Sequence, residues 1–341
     1  MRAAIGAPIN ARPRLGVKPN PNKKRPSTGR KRAVKARKRR GKRIVSKKRP
    51  LSPEQPQQPQ QSQQSQQPMR TYEQGYSEGL FDGGEKFVEQ HHPGDLIIPD
   101  LSVEGAVAAG IQALRPHGVP LLGPDAVAEE LESSLREKRP YAFIRLGDGE
   151  LMTLAQEVVL PIEEIQQAGG HFLPYAGVNI PDPAAREAVA HAIRHASLVG
   201  VPISRRPYYQ PLLFKALRAH GIDVRSLRYT SSVMNYSLHE YGHFMRLMGG
   251  RRVLLVGNVA DRLAHALIRQ GILIVGAVQP VNGVHDTPRV IEEAGRYDFD
   301  LALVSAGIAA LPICVNLAAA TGKVMIDFGH LANHIAGLSP T

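Results

Sequence analysis

Two acidic residues separated by one glycine follow an apolar stretch in YAFIRLGDGE, residues 141–150. In a turn, the carboxylates of Asp148 and Glu150 can reach one hard cation such as Mg²⁺ or Mn²⁺, which prefers oxygen ligands. Gly147 leaves room for the backbone to approach a ligand. The guanidinium of Arg145 can bind phosphate oxygens or pair with the acids. The spacing is therefore typical of a cation or phosphate site, and equally of a strand-end turn with an ion pair.

Other small and polar residues follow the later apolar stretches, at the strand ends where parallel α/β sheets bind ligands. Ser305 and Gly307 lie between a strand and a helix, where backbone amides can point at a phosphate or ribose. Gly257 belongs to a similar turn, and His330 follows the last strand. Asn235 is a candidate for contacting sugar hydroxyls, although asparagine also caps helices. The G-x-G-x-x-G pattern is missing after every strand, which argues against a nicotinamide dehydrogenase.

A rival motif occurs at residues 239–243, HEYGH, which matches the H-E-x-x-H pattern of zinc proteases. In that pattern His239 and His243 would hold zinc while Glu240 activates water. Arg246 and Gly249 occupy the places where the extended motif has glycine and histidine. A zinc metalloprotease through this motif is an alternative that these departures weigh against.

Charge is distributed very unevenly along the 341 residues. Residues 1–50 hold 20 of the 43 Lys and Arg and none of the 30 Asp and Glu, so a tail of +20 precedes a body near −7. Cys314 is the only cysteine, which excludes an internal disulfide. We expect its thiol to be buried and inert. The sequence shows no signal-peptide pattern and no transmembrane segment, which predicts a cytoplasmic protein.

Composition predicts four regions. Residues 1–50 form a disordered basic tail that can bind a polyanion, either nucleic acid or an anionic cell-wall polymer, and residues 51–70 form a Gln/Pro-rich linker. Residues 71–97 form a short Tyr/Gly helix and connector, with self-association through residues 71–90 as a candidate role. Residues 98–341 form an α/β domain.

Strand and helix patterns alternate through that last region. Short apolar strands are predicted at YAFIRL, ASLVGVPI, RRVLLVG, GILIVGAV, DLALVSAG and GKVMIDFG, with LRYTSS as a further candidate. Helical spacing lies between them, for example in DPAAREAVAHAIRHA, where Asp182 is the predicted cap. The fold class is therefore α/β, with a mostly parallel sheet and helices on both faces.

Two separated blocks, FIRLGDGE and LALVSAGIAALPICVNLAAATGKVMIDFGH, resemble the glycosyltransferase family of the GT-D fold, whose motif is Asp-x-Glu. The similarity covers roughly residues 130 to 335. It implies a Rossmann-like sheet in which Asp148 and Glu150 hold a divalent cation that bridges the diphosphate of a sugar nucleotide. His330 matches a histidine of the family's closing motif, and the same resemblance places Ser305 and Gly307 in the donor pocket.

The resemblance implies a metal-dependent, hexosyltransferase-like glycosyltransferase that uses Mn²⁺ or Mg²⁺. Its substrates would be a nucleotide diphosphate sugar and a hydroxyl on an unidentified glycan or protein acceptor. The basic tail and linker depart from the family's catalytic core. A second hypothesis is therefore a non-catalytic polyanion-binding or assembly module that works through residues 1–50.

Overall fold

A computed structural model of the chain describes residues 71–338. The predicted basic tail and Gln/Pro linker, residues 1–70, lie outside the described residues. The chain divides into two compact units between Tyr76 and Ser77. The first unit contributes only residues 71–76 to the described structure, where they begin a helix. The limits predicted for the four regions stay predictions.

Eight strands form one sheet in the part of the chain that the structure describes. In chain order they are β1 Leu121–Leu122, β2 Tyr141–Arg145, β3 Leu198–Val201, β4 Tyr229–Ser231, β5 Arg252–Gly257, β6 Leu273–Val278, β7 Leu301–Ser305 and β8 Val324–Asp327. Their spatial order is β1-β4-β3-β2-β8-β7-β5-β6, and every neighbouring pair is parallel. All carboxyl ends therefore lie along one edge of the sheet.

Helices alternate with these strands. They are α1 Tyr72–Leu80, α2 Lys86–His91, α3 Val103–Leu114, α4 Pro124–Glu137, α5 Asp148–Ala155, α6 Ile162–Gly169, α7 Pro183–His195, α8 Gln210–Ala219, α9 Met234–Glu240, α10 His243–Met248, α11 Ala260–Ile268, α12 Thr287–Ala294, α13 Ala310–Thr321 and α14 Leu331–Ile335. The predicted cap of α7 is confirmed, because Asp182 Oδ1 accepts a hydrogen bond of 2.9 Å from the Ala185 N–H.

Both faces of the sheet are covered, which explains why its strands are almost wholly apolar. In β2 the side chains alternate between two cores: Ala142 and Ile144 pack into one, Tyr141 and Phe143 into the other. Cys314 of α13 lies in the first core, fully buried, and burial raises the pKa of its thiol well above the usual value. The predicted parallel α/β fold and the predicted burial of the cysteine are both confirmed.

The helices before the sheet pack very differently. Gly84 is the only buried residue between Thr71 and Gly118. The helix predicted over the Tyr/Gly stretch is present as α1 and α2, which are joined by a wider π-type turn over Phe81–Glu85. Within residues 71–338, no helix combines the length and the hydropathy needed to cross a bilayer.

Candidate active site

A cleft of about 720 Å³ opens at the carboxyl edge of the sheet. Its walls come from the segments that follow β2, β4, β5, β6, β7 and β8, together with the loop between α6 and α7. Seven of the nine predicted site residues line it: Arg145, Gly147, Asp148, Glu150, Ser305, Gly307 and His330. The sheet topology therefore brings together residues that are up to 185 positions apart in sequence.

Asp148 and Glu150 occupy the first turn of α5, with Gly147 as the N-cap. The sequence alone indicated an isolated turn, whereas the structure continues the same residues into a helix. Acidic groups are favoured at this end of a helix because the backbone dipole is positive there. The motif is thus fixed in place by a buried helix rather than carried by a free loop.

Both oxygens of the Asp148 carboxylate are oriented by hydrogen bonds. Oδ1 accepts from the Gly149 N–H at 2.9 Å, and Oδ2 accepts from the Tyr209 hydroxyl at 3.1 Å. Burial and the nearby charge of Asp148 raise the pKa of Tyr209, so this hydroxyl stays a donor at neutral pH. Tyr209 comes directly before α8, and no sequence pattern pointed to it as a site residue.

Glu150 is half-buried and turned back toward the start of its own helix. Its Oε2 accepts a hydrogen bond of 2.8 Å from the Gly147 N–H, which is the acidic half of a capping box. Loss of hydration raises the pKa of Glu150 to about 7, and the charge of Asp327 adds to that rise. A neighbouring positive charge would favour the ionised form of this carboxyl.

Arg145 lines the cleft, but its guanidinium is occupied by the protein. It donates to the Asp327 carboxylate at 2.9 Å, to the Asp327 carbonyl at 3.0 Å and to the Ser232 carbonyl at 3.1 Å. It also donates to Asn235 Oδ1 at 3.3 Å, while the Asn235 amide donates to the Phe328 carbonyl at 2.9 Å. Asn235 is fully buried behind the cleft wall and does not line it. Together these residues tie the ends of β2, β4 and β8.

Ser305 ends β7 and presents a hydroxyl without a partner. Its Oγ is buried and has no hydrogen bond to any described atom. Buried hydroxyls in folded proteins are normally paired, so an unpaired one that lines a cleft indicates a place for a ligand. The neighbouring strand end is Gly257, which does not line the cleft. A side chain there would place its Cβ 2.1 Å from the Ser305 carbonyl oxygen, so this glycine fits β5 against β7.

A loop over residues 172–177 forms the outer wall of the cleft, and no sequence pattern pointed to it. Gly307 has φ +55° and allows the loop to approach, because a Cβ there would lie 2.7 Å from the Ala176 carbonyl oxygen. The Ile308 N–H donates to that same oxygen at 3.1 Å. Tyr175, which is largely exposed, is carried on this loop at the cleft.

Among the described residues that line the cleft, acidic groups outnumber available cations. Three carboxylates are present, those of Asp148, Glu150 and Asp327, and the only basic side chains are Arg145 and His330. Because Arg145 is already paired with Asp327, it does not neutralise the carboxylates in the first turn of α5, and this part of the cleft carries a net negative charge. A polyanionic ligand would be repelled there unless a cation accompanied it.

The zinc-protease motif does not form the helix that it needs. Gly242, with φ +72°, separates α9 from α10, so His239 lies in the last turn of one helix and His243 begins the next. His243 lies 3.0 Å from Asp125 and also contacts Arg246 at 2.9 Å. No group of three or more His, Cys, Asp or Glu side chains that could hold a metal ion occurs in residues 71–338.

The parallel sheet with a ligand cleft at its carboxyl edge defines a Rossmann-like α/β protein, and comparison with known families identifies which one. The GT-D fold-like domain model matches residues 122–335, more than half of the chain. The chain therefore belongs to the GT-D fold-like family, a family of the glycosyltransferase type.

Similar solved structures include a glycosyltransferase (DUF1792) from Streptococcus sanguinis, at 15% identity and a TM-score of 0.44, which covers 65% of this chain and 87% of its own. A selenomethionine form of domain of unknown function 1792 has 17% identity and a TM-score of 0.42. A third structure, of a domain of unknown function 1792 described as having a distinct glycosyltransferase fold, has 16% identity and a TM-score of 0.43. These last two each cover 62% of this chain and 81% of their own. A search of curated proteins finds no match.

Proposed function

We propose that the protein is a metal-dependent glycosyltransferase that moves a sugar, such as a hexose, from a nucleotide diphosphate sugar to a hydroxyl of a glycan or protein. The observation that carries this proposal is the negative cleft at the first turn of α5. A family of the glycosyltransferase type supplies the reaction class, and the excess of carboxylates at the cleft supplies the reason for a cation.

The residues at the cleft fit Mn²⁺ or Mg²⁺. Both ions prefer oxygen ligands, and Asp148 and Glu150 offer carboxylates on one helical turn. Asp148 is the readier ligand, because each of its oxygens keeps a lone pair after the bonds from Gly149 and Tyr209. One oxygen of Glu150 accepts a hydrogen bond from the Gly147 N–H, which leaves the other for a cation. A bound cation would lower the raised pKa of Glu150 and so favour its carboxylate form. When bound, the cation would neutralise charge that develops on a departing diphosphate.

The chain's own groups would bind and orient the donor. The unpaired Ser305 hydroxyl can donate to a phosphate or ribose oxygen. Gly147 and Gly307 keep the backbone close to the cleft, and His330 lines it at the start of α14. Arg145 would support the site without contacting the donor, by holding Asp327 and the strand ends in position.

Calorimetric titration with a panel of nucleotide diphosphate sugars, with and without Mn²⁺, tests the proposal. We expect binding that needs the cation and that weakens by more than about a hundredfold in Asp148→Asn, since even outer-shell changes at metal sites cost 10–100-fold. Asp261→Asn is the matched control, because Asp261 also lies in the first turn of a helix after a strand but outside the cleft. Binding that is indifferent to the cation and to Asp148→Asn would contradict the proposal.

A second role is supported by the charge of residues 1–50 alone. Twenty basic residues without an acid would bind nucleic acid or an anionic cell-wall polymer through counterion release. Deletion of residues 1–50 should abolish a salt-sensitive affinity for such a polymer while leaving donor binding unchanged. If polymer binding survives the deletion, the tail has no such role.

A further inference from the structure

Tyr209 connects Asp148, the first of the two acids in the motif, to a distant part of the chain. Its hydroxyl donates a hydrogen bond of 3.1 Å to Asp148 Oδ2, across 61 positions of sequence. Tyr209 does not itself line the cleft, whereas Asp148 does. An effect of Tyr209 on a ligand in the cleft would therefore act through the orientation of the Asp148 carboxylate.

The plane of that carboxylate is poorly fixed without the tyrosine. Rotation of an aspartate carboxylate about its last bond is broad, so rotamer preference alone does not set the plane. Oδ1 accepts a hydrogen bond of 2.9 Å from the Gly149 N–H, which belongs to the same turn. This bond holds one oxygen, and the bond from Tyr209 holds the other. Together they set the direction in which both oxygens present their remaining lone pairs.

The backbone of Tyr209 is itself held on both sides. Its N–H donates to the Arg206 carbonyl at 3.0 Å, and its carbonyl accepts from the Leu213 N–H at 2.9 Å in the first turn of α8. The next N–H, that of Gln210, donates to the Ser204 carbonyl at 3.1 Å and closes the loop that follows β3. The hydroxyl is therefore presented from a fixed point at the start of a helix.

Helix α8 is in turn fixed against α5, the helix that carries the two acids. The two helices pack against each other in the first core, where Leu154 of α5 and Leu213 of α8 are buried. At the far ends of the helices, His220 Nε2 lies 2.8 Å from the Leu154 carbonyl oxygen. Tyr209 and Asp148 meet at the near ends. Because the apolar contacts and His220 already hold α8 beside α5, the packing of the two helices does not depend on the Tyr209 hydroxyl.

The partner of Asp148 is also neutral, unlike the partner of Asp327. Asp327 pairs with the guanidinium of Arg145, whose positive charge compensates the carboxylate. A tyrosine hydroxyl is protonated at neutral pH and donates without bringing a positive charge. Asp148 is thus oriented while it keeps its full negative charge, which is the combination that a cation ligand requires.

We infer that Tyr209 is a positioning residue for the cation, which holds the Asp148 carboxylate in the orientation that Mn²⁺ or Mg²⁺ binds. The inference rests on the proposed function, in which Asp148 is the readier ligand. Groups that orient the ligands of a metal site typically change the metal affinity by about 10–100-fold when they are removed. A ligand that is oriented in advance loses less conformational freedom when the ion binds.

Electron paramagnetic resonance with Mn²⁺ alone tests the inference on the full chain, because the signal of the free hydrated ion is lost on binding. Tyr209→Phe removes only the hydroxyl and should raise the Mn²⁺ dissociation constant about tenfold. Tyr208→Phe is the matched control, because the hydroxyl of this neighbouring residue donates to Glu164 instead, at 3.4 Å. It should leave the constant unchanged. The melting temperatures of the two variants should agree within about a degree or two, since each loses one hydroxyl.

Asp148→Asn separates this inference from the proposed function, because it should remove Mn²⁺ binding altogether. If Asp148→Asn loses the ion while Tyr209→Phe binds it like the wild type, the cation site stands and the role of Tyr209 is wrong. Equal weakening in Tyr209→Phe and Tyr208→Phe would also overturn that role, because the loss would then be a general effect on the loop before α8. Wild-type protein that leaves all Mn²⁺ free would overturn both the cation site and the inference.

Discussion

Replacing Arg145 by methionine should destabilise the protein strongly, even though the residue lines the cleft and phosphate binding is one of its two predicted roles. The side chain makes four hydrogen bonds, two of them to Asp327. Burial raises the pKa of Asp327, and the charge and hydrogen bonds of Arg145 oppose that rise. Without Arg145, the Asp327 carboxylate would keep only the backbone N–H of residue 145 as a donor.

The magnitude follows from the burial of the pair. The side chains of Arg145 and Asp327 are 16% and 6% exposed. Removing one partner of such a pair costs about 3–5 kcal/mol, because the other charge is left uncompensated in a poorly hydrated place. Arg252 provides the comparison: it pairs with Asp300 and Asp298 near the surface. Arg252→Met should cost far less than Arg145→Met, because solvent screens an ion pair at the surface.

Urea unfolding followed by circular dichroism measures both losses under one condition. Arg145→Met should lower the free energy of unfolding by several times as much as Arg252→Met. The double variant Arg145→Met with Asp327→Leu should recover much of the loss, since both buried charges are then gone. If Arg145→Met unfolds at the wild-type urea concentration yet no longer binds the donor, Arg145 is a phosphate ligand and the structural role argued above is wrong.

Three further outcomes are expected. Gly257 has φ +133°, and a Cβ there would meet the Ser305 carbonyl, so Gly257→Ala should lower the free energy of unfolding in urea by about 3 kcal/mol. Gly271 has φ +82° but lies in open space, so Gly271→Ala should lower it by only about 1–2 kcal/mol. Equal losses in the two variants would refute the contact at Gly257. Ser305→Ala should leave the melting temperature unchanged within a degree or two while weakening donor binding about fivefold in calorimetry; unaltered binding would remove Ser305 from the site. The bond from Arg252 holds the pKa of Asp300 below its usual range, so its stabilisation is complete above about pH 4 and is lost as pH falls through the folded-state pKa. Arg252→Met should therefore flatten the acid side of the stability profile, and an unchanged slope would contradict this.

Much of the fold could be predicted because its signals are local. Apolar runs such as RRVLLVG and DLALVSAG became β5 and β7, since strands buried on both faces must be apolar throughout. The two-residue strand β1 could not be predicted, because its pairing with β4 depends on a distant part of the chain. Helix α5 was missed because its glycines and acids are typical of a turn, and the buried Leu151 and Leu154 stabilise it only through tertiary packing.

The site was predictable only in part, because some of its features depend on contacts between distant parts of the chain. Asp148, Ser305 and His330 could be predicted because each follows a strand, and the carboxyl ends of parallel strands lie along one edge of the sheet. The hydrogen-bond partner of each side chain could not be predicted from the sequence. Nothing in the sequence says that Tyr209 bonds to Asp148, or that Asn235 is buried beneath Arg145. Such contacts depend on three-dimensional neighbours and not on spacing along the chain.

The metal dependence, the sugar-nucleotide donor and the cytoplasmic location stay predictions, and one measurement tests the central claim among them. Release of nucleoside diphosphate from a panel of sugar nucleotides, with the sugar passing to water in place of the unidentified acceptor, should require Mn²⁺ or Mg²⁺, stop on adding a chelator and resume when the cation is restored. It should be absent in Asp148→Asn, whose melting temperature matches the wild type, and present in Asp261→Asn. Release that continues in the chelator and in Asp148→Asn would contradict the account.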